Sequence, residues 1–283
     1  GDGLPRAKRE LFDSGIQVPM IVRWPEKYRP SHIEPGSIDK RMVSLVDLAP
    51  TILSLAGVSL PEFLHGTPFA GDTSTLKREY VFAARDRIGE FPDRQRAVRD
   101  SRYKYIRSYN LQAGGFHLAY RDGLDIMQEL WRMLASDELN DVQKQWFMKR
   151  PAEMLFDTVN DPYEINNLAD NPVHAADLSR LRDAYTSHRQ RVPDLSDEQE
   201  SDMAARFWPG GIEPVTVSPN LTLIDDLLTV SSSTAGASLG YRLNDSDWRI
   251  YVDPIQLRPG DKVQAKAVRY GWAESDSIEL TMD

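Results

Sequence analysis

Cysteine is absent from all 283 residues. That excludes disulfides, thiolate metal sites and a cysteine nucleophile within the chain, and it leaves the compartment open. No apolar run approaches the ~20 residues that a membrane-spanning helix needs, so no transmembrane segment is expected. Positive charge is in deficit: 34 Lys and Arg stand against 43 Asp and Glu, a formal net charge of -9. This argues against nucleic acid as a partner unless one local patch defies the average. Histidine is sparse, and His32, His65, His117, His174 and His188 show no metal-ligand spacing. His174 and His188 are expected to cap the last helix or face solvent. What is present, 41% hydrophobic and 27% charged residues, is the composition of a folded globular chain of one large or two ordinary domains.

The richest stretch is the first. Gly1-Asp2-Gly3-Leu4-Pro5-Arg6-Ala7-Lys8-Arg9 leads through Asp13-Ser14-Gly15 into Val18-Pro19-Met20-Ile21-Val22-Arg23-Trp24-Pro25. A glycine-containing loop with three cations before a short apolar strand is where α/β proteins gather anion-binding groups, and sulfate or phosphate is the natural guest. A site-like loop at residue 1 has no first strand before it. The chain therefore reads as the C-terminal portion of a longer protein.

Val18 to Trp24 is expected to be a buried strand ended by Pro25, followed by a polar loop to Ser37. Asp47 is placed to cap a helix over Leu48 to Ala56, with Pro50 in the first turn and Gly57 at the end. Tyr80 to Ala84 reads as a strand, and Arg96-Ala97-Val98-Arg99, Asp100-Ser101, Arg102 to Arg107 as strand, tight turn, strand. From Leu124 to Phe147 apolar residues recur at helical spacing with a break near Asn140, which predicts two short helices. Met154 to Asp157 adds a strand, Asp161 to Glu164 a turn, and Ala176 to Arg191 an amphipathic helix with Leu178, Leu181 and Tyr185 inward.

Texture changes after Arg191. Residues 193–213 are polar, acidic and punctuated by Trp208-Pro209-Gly210-Gly211, which reads as a linker between residues 1–192 and 214–283. Beyond Pro214 short strands are expected at 227–232, 238–243, 248–252, 262–270 and 277–282, with turns at Asn244-Asp245 and Pro259-Gly260-Asp261: a small β-sandwich. Trp248, Tyr251, Tyr270 and Trp272 could stack on sugars. Core packing is the expected role of Trp248 and Tyr270, and Trp272 is left open.

Three ordered stretches carry a resemblance. Gly1 to Pro25, Val43-Ser44-Leu45-Val46-Asp47-Leu48-Ala49-Pro50-Thr51-Ile52-Leu53, and Met154-Leu155-Phe156-Asp157 through Asp161-Pro162-Tyr163-Glu164-Ile165-Asn166-Asn167-Leu168 resemble the sulfatase family of the alkaline phosphatase superfold. The Gly-Leu-Pro-Arg-Ala-Lys-Arg variant, with Ala84 to Arg87 and Arg96 to Arg99, is most similar to the heparan N-sulfatase-like branch. The tail, over residues 214–283, resembles the chitobiase/β-hexosaminidase C-terminal type of domain, fibronectin III-like in shape. The implied fold class is α/β: the C-terminal part of a sulfatase-type domain with a small antiparallel subdomain, followed by an all-β sandwich.

The resemblance implies a sulfuric ester hydrolase acting on sulfated carbohydrate, with glycosaminoglycan as the expected substrate and a periplasmic or secreted location. It places Lys8 as the catalytic sulfate-binding lysine. On the residues alone a solvated loop cation is the favoured reading of Lys8, although an ammonium aimed at developing sulfuryl charge is what the chemistry needs; the resemblance reverses that preference. Substrate contacts are expected from Arg85, Asp86 and Arg87, a cluster able to hold carboxylate, sulfate and hydroxyls together, and also from Arg6 and His117. Arg9 is expected to pair with a carboxylate, and for Arg96 and Arg99 structural pairing is slightly preferred to binding. The family's formylglycine and calcium are implied as cofactors, but the chain has no Cys and no Ser in the modifiable motif, and its ligands are expected in a missing N-terminal half. Alternatives are a phosphodiesterase or phosphonate hydrolase of the same superfold, or a non-catalytic carbohydrate-binding protein.

Overall fold

The computed structural model describes residues 5–30, 33–71, 78–88, 91–111 and 122–283. They divide into two compact units, residues 1–194 and 195–283.

The first unit is built on a four-stranded antiparallel sheet in the order β1 (Val81–Ile88), β2 (Phe91–Arg99), β3 (Tyr103–Ser108), β4 (Glu153–Asp157). Both faces are covered, so alternate residues enter different cores. Val98, Tyr103, Tyr105 and Leu155 pack against Leu178, Leu181 and Tyr185 of the helix Ala175–Arg191. Ala97, Ile106, Met154 and Phe156 pack on the other face against Leu11 and Phe12 of the opening loop. Full burial of one such side chain, Leu181 for example, contributes about 1.5–3 kcal/mol. β2 and β3 are joined by a turn in which Asp100 Oδ1 accepts from the N–H groups of Arg102 (2.7 Å) and Tyr103 (2.6 Å), an aspartate turn of the expected kind.

Helices α1 (Asp13–Ile16), α2 (Leu48–Leu55), α3 (Asp125–Ala135) and α4 (Asp141–Lys144) precede the long helix α5 (Ala175–Arg191). The break between α3 and α4 falls where Asn140 caps α4, its side chain accepting from Gln143 N at 2.9 Å. Asp47 does not cap α2. Its buried carboxylate accepts instead from Ser44 N (2.7 Å) and Thr67 N (2.8 Å) and pairs with Arg78 (2.5 Å), tying three segments together.

Val18 to Trp24 departs from expectation. The segment forms no strand, and Val18, Met20, Ile21 and Val22 are exposed, Ile21 to 95%. A strand is defined by its neighbours, and among the described residues this one has none. The two helix histidines also differ: His188 stacks on Phe82 at 3.7 Å, with burial pulling its pKa down, and His174 meets the edge of Tyr103.

The second unit holds two antiparallel sheets over one core. One runs β11 (Ile278–Thr281), β10 (Lys262–Arg269), β7 (Ala237–Leu243), β8 (Arg249–Ile250), and the other β5 (Asn220–Ile224), β6 (Leu227–Ser231), β9 (Ile255–Gln256). Leu228, Val230, Leu257, Val263 and Ala265 fill the space between them. β5, not anticipated from sequence, is joined to β6 by Asp225 and Asp226, both at positive φ (48° and 63°), the backbone of a tight two-residue hairpin. The acidic stretch contains helix α6 (Glu200–Phe207), and the indole N–H of the next residue, Trp208, donates to the Gly271 carbonyl at 2.7 Å. Trp248 and Tyr270 are not core residues, being 37% and 89% exposed. Trp248 lies against Gly240 with Lys266 Nζ 4.3 Å from its ring, and Trp272 is half-buried beside Arg269.

Candidate functional site

The site is assembled on the loop from Pro5 to Ile16, and its form follows from a single tight turn. Glu10 N donates to Ala7 O at 3.1 Å, which leaves Lys8 and Arg9 as the two central residues, with Arg9 at φ 77°. A positive φ at the third position of a turn favours glycine, so an arginine there is strained backbone held by its surroundings. Pro5, Ala7, Glu10, Leu11 and Phe12 are buried, whereas Lys8 and Arg9 are exposed. Gly15 is required beneath the turn, since a Cβ on it would stand 2.3 Å from the carbonyl oxygens of both Ala7 and Glu10.

Three sets of contacts fasten this turn. Arg6 lies between Phe12 (4.2 Å) and Trp146 (3.9 Å) and donates to the carbonyls of Tyr163 (2.7 Å) and Glu164 (3.3 Å). Burial draws its pKa below the ordinary guanidinium value against the pull of Glu164, Glu10 and Asp161. Arg6 thus braces the loop internally, and its expected substrate contact is left without support, since both terminal nitrogens donate to main-chain acceptors.

The second set is Arg85. Its guanidinium is buried, 2.5 Å from Glu10 Oε2, 2.6 Å from Asp93 Oδ2 and 2.5 Å from Gln95 Oε1, and it also donates to Arg9 O at 3.1 Å. Asp93 is gripped in turn by Arg150. The expected contact between Arg85 and substrate is left without support, because both terminal nitrogens of its buried guanidinium are engaged by internal acceptors. What Arg85 does is bring together two stretches that sequence singled out separately, the 85–87 cluster and the Lys8 turn. A register shift lies between Arg85 and Arg87, and beyond it Asp86 and Arg87 are exposed. Asp86 pairs with Arg96 at 2.7 Å, and Arg96 also makes a two-pronged contact with Asp194 (2.9 and 3.0 Å). His117 lies outside the described residues.

The third set was not read from sequence. Lys104, the second residue of β3, is fully buried, with Nζ 2.6 Å from Asp13 Oδ1 and 2.7 Å from Glu164 Oε1, and donating to Leu11 O at 3.2 Å. Asp13 N donates to Glu164 Oε2 at 2.6 Å, and Arg99 approaches Asp13 at 3.2 Å and Thr158 Oγ1 at 3.1 Å. Burial alone would raise the Asp13 carboxyl, but Lys104 and Arg99 hold it below the usual range. Glu164 goes the other way: burial, with Asp13 adding to it, lifts its pKa against Lys104. The available signal was a lysine at an inward position of a strand whose neighbours Tyr103, Tyr105 and Ile106 are all core residues.

Cofactors implied by the sulfatase resemblance find no fit on these residues. Among the described residues no group of three or more His, Cys, Asp or Glu side chains is placed to hold a metal ion. Formylglycine has no precursor either, with no Cys in the chain and no Ser in the required motif. No described helix is long and apolar enough to cross a membrane.

Comparison with known proteins bears on the same loop. A family model described as N-sulphoglucosamine sulphohydrolase, C-terminal, matches residues 6–149. An Ulvan-active sulfatase of Formosa agariphila is 37% identical over 290 residues, covering 99% of this chain and 48% of the relative. A second Ulvan-active sulfatase of that organism is 30% identical over 183 residues, covering 62% of this chain and 33% of the relative. Bos taurus N-acetylglucosamine-6-sulfatase is 44% identical over 57 residues, 20% of this chain and 9% of the relative. The chain spans about half the length of the first of these relatives and less of the others. Since the family model takes in more than half of the 283 residues, from the braced turn to the end of α4, the chain belongs to the sulfatases of N-sulphoglucosamine sulphohydrolase C-terminal type.

Proposed function

We propose that this chain is the C-terminal part of a sulfatase hydrolysing sulfate esters or N-sulfate of carbohydrates, with Lys8 binding the sulfate. The observation that carries the reading is the turn at residues 7–10, which buries its flanks and directs Lys8 and Arg9 outward from a braced backbone. Attack on sulfur builds negative charge on the sulfuryl oxygens and the leaving group, and a pre-positioned ammonium stabilises both without reorganising. Asp86 and Arg87, joined to the turn through Arg85, would read the neighbouring sugar: carboxylate accepts from hydroxyls, and guanidinium donates to carboxylate or sulfate.

The rest of the machinery would come from a complementing N-terminal half carrying calcium and formylglycine. What supports this is the exposed apolar run Val18, Met20, Ile21 and Val22, of which Val18, Met20 and Val22 border one broad groove with Leu45 and Leu55. An edge of that kind is normally paired or covered. The proposed arrangement is residues 1–192 in the sulfatase domain, 193–213 as the connection and 214–283 as a fibronectin III-like module, in a periplasmic or secreted protein. A superfold relative cleaving phosphate or phosphonate esters is less favoured, because the matching relatives are named sulfatases.

Sulfate release by the complete enzyme, measured by ion chromatography, tests the reading. Lys8→Ala should lower turnover by about 10²-fold or more with folding unchanged. Near-normal turnover in a folded variant would remove Lys8 from the site. Running ulvan and heparan sulfate side by side distinguishes the substrate named for the Formosa relatives from the glycosaminoglycan expected from sequence.

A further inference from the structure

A lysine with no exposed surface in a core strand is expensive. The effective cost of burying an ammonium is several kcal/mol, and an apolar side chain of similar volume often serves stability as well or better. Lys104 points to the same face of β3 as Ile106, toward Leu11 and Phe12, where a methionine would fill the space. Its purpose is to be sought in what its charge holds.

Its ammonium meets Asp13, the first residue of α1, and Glu164, whose other oxygen receives the Asp13 N–H. Asp13 is thereby fixed at both side chain and backbone. Two residues on, Gly15 lies so close under the turn at 7–10 that no Cβ fits between them, and Ser14 Oγ donates to Arg6 O at 2.7 Å. There is no slack between α1 and the turn. A displacement of Asp13 passes directly to residues 7–10 and so to Lys8.

We infer that Lys104 is a positioning residue for Lys8, setting the height of the sulfate-binding turn through Asp13 and Glu164 from the opposite side of the loop. The inference rests on the reading of Lys8 given above. Lys104 touches no substrate; it acts through α1. Displacing a reacting group by about 1 Å can cost as much as 10²-fold in rate, and the backbone strain at Arg9 makes the turn prone to move once its base is loosened.

A double-mutant cycle on sulfate release in the complete enzyme tests this. Lys104→Met alone should lower kcat/KM by about 10- to 100-fold, and Lys8→Ala alone by about 10²-fold. If Lys104 acts through Lys8, the double variant is no worse than Lys8→Ala to within about threefold, because a misplaced lysine that is no longer there costs nothing further. Multiplied losses would overturn the inference, since a general structural weakening lowers activity whether or not Lys8 is present. Should Lys104→Met not fold, Asp13→Asn, which keeps the shape and removes the charge, carries the same cycle with the same expected and contradicting outcomes. Full activity in Lys8→Ala defeats the underlying reading and the inference with it. Additivity with a Lys8→Ala variant lowered by about 10²-fold defeats the inference alone.

Discussion

The two stretches on either side of Gln17 invert the usual relation between polarity and burial. Of the twelve residues Pro5 to Ile16, five are charged, yet Glu10 is buried and Asp13 mostly so, and the segment seals one face of the sheet with Leu11 and Phe12. The following Val18 to Trp24 is almost wholly apolar or aromatic, yet it lies exposed and unpaired among the described residues. Burial here follows partners and not hydropathy. Each buried charge of the first stretch has a named counter-charge, Glu10 with Arg85 and Asp13 with Lys104 and Arg99. The second stretch has composition for a central strand and, among the described residues, no strand to lie beside.

The sharpest way to break this comparison uses one residue type in both environments. Ile106, fully buried in β3, and Ile21, 95% exposed, are chemically identical. Ile106→Ala should destabilise the first unit by about 2–5 kcal/mol, whereas Ile21→Ala should change stability of this chain by no more than about 0.5 kcal/mol. Chemical denaturation of both variants measures the two. Equal losses would mean that the apolar run is packed after all.

Protonation probes the charged stretch with a smaller effect. Asp13 titrates below its ordinary 3.8, so the stability it contributes is full above that value and is lost as pH falls through the depressed pKa. Glu164 titrates above its ordinary 4.5, so its contribution is present below that value and is lost as pH rises through the raised pKa. The two slopes oppose each other. Asp13→Asn removes the acid slope, and its stability should therefore fall less steeply than that of the parent as pH drops through the range below 3.8. Thermal unfolding between acid and neutral pH reads the difference, and parallel profiles would show that Asp13 is not held by Lys104.

Much of the first unit could be read from sequence because the signals are local. The turn at Asp100, the break at Asn140 and the inward face of α5 each rest on residues within a turn or two of one another. The turn that carries Lys8 is local in its closure, Glu10 N on Ala7 O, but not in what fastens it. What stayed hidden depends on partners far along the chain. Arg6 and Arg85 look like free cations in sequence and are consumed by acceptors 157 and 75 residues away. Lys104 gains its meaning only when the segments around residues 13 and 164 meet it. Arg85 and Arg87 would share a face under plain alternation, and the register shift between them separates a buried brace from an exposed side chain. In the second unit an Asp-Asp hairpin carries no glycine to announce β5, and the strand pattern points Trp248 to the core although it lies exposed against Gly240.

Native-state hydrogen exchange of this chain tests most directly the claim that the charged loop is rigid and the apolar run is unpartnered. The amides of Glu10, Asp13, Gly15 and Ile16, each donating to an acceptor within the loop or at Glu164, should exchange slowly. Those from Val18 to Trp24, excepting the proline, should exchange at rates near those of an unfolded peptide. Protection of residues 18–24 equal to that of Asp13 and Gly15, or fast exchange throughout 5–16, would contradict the account.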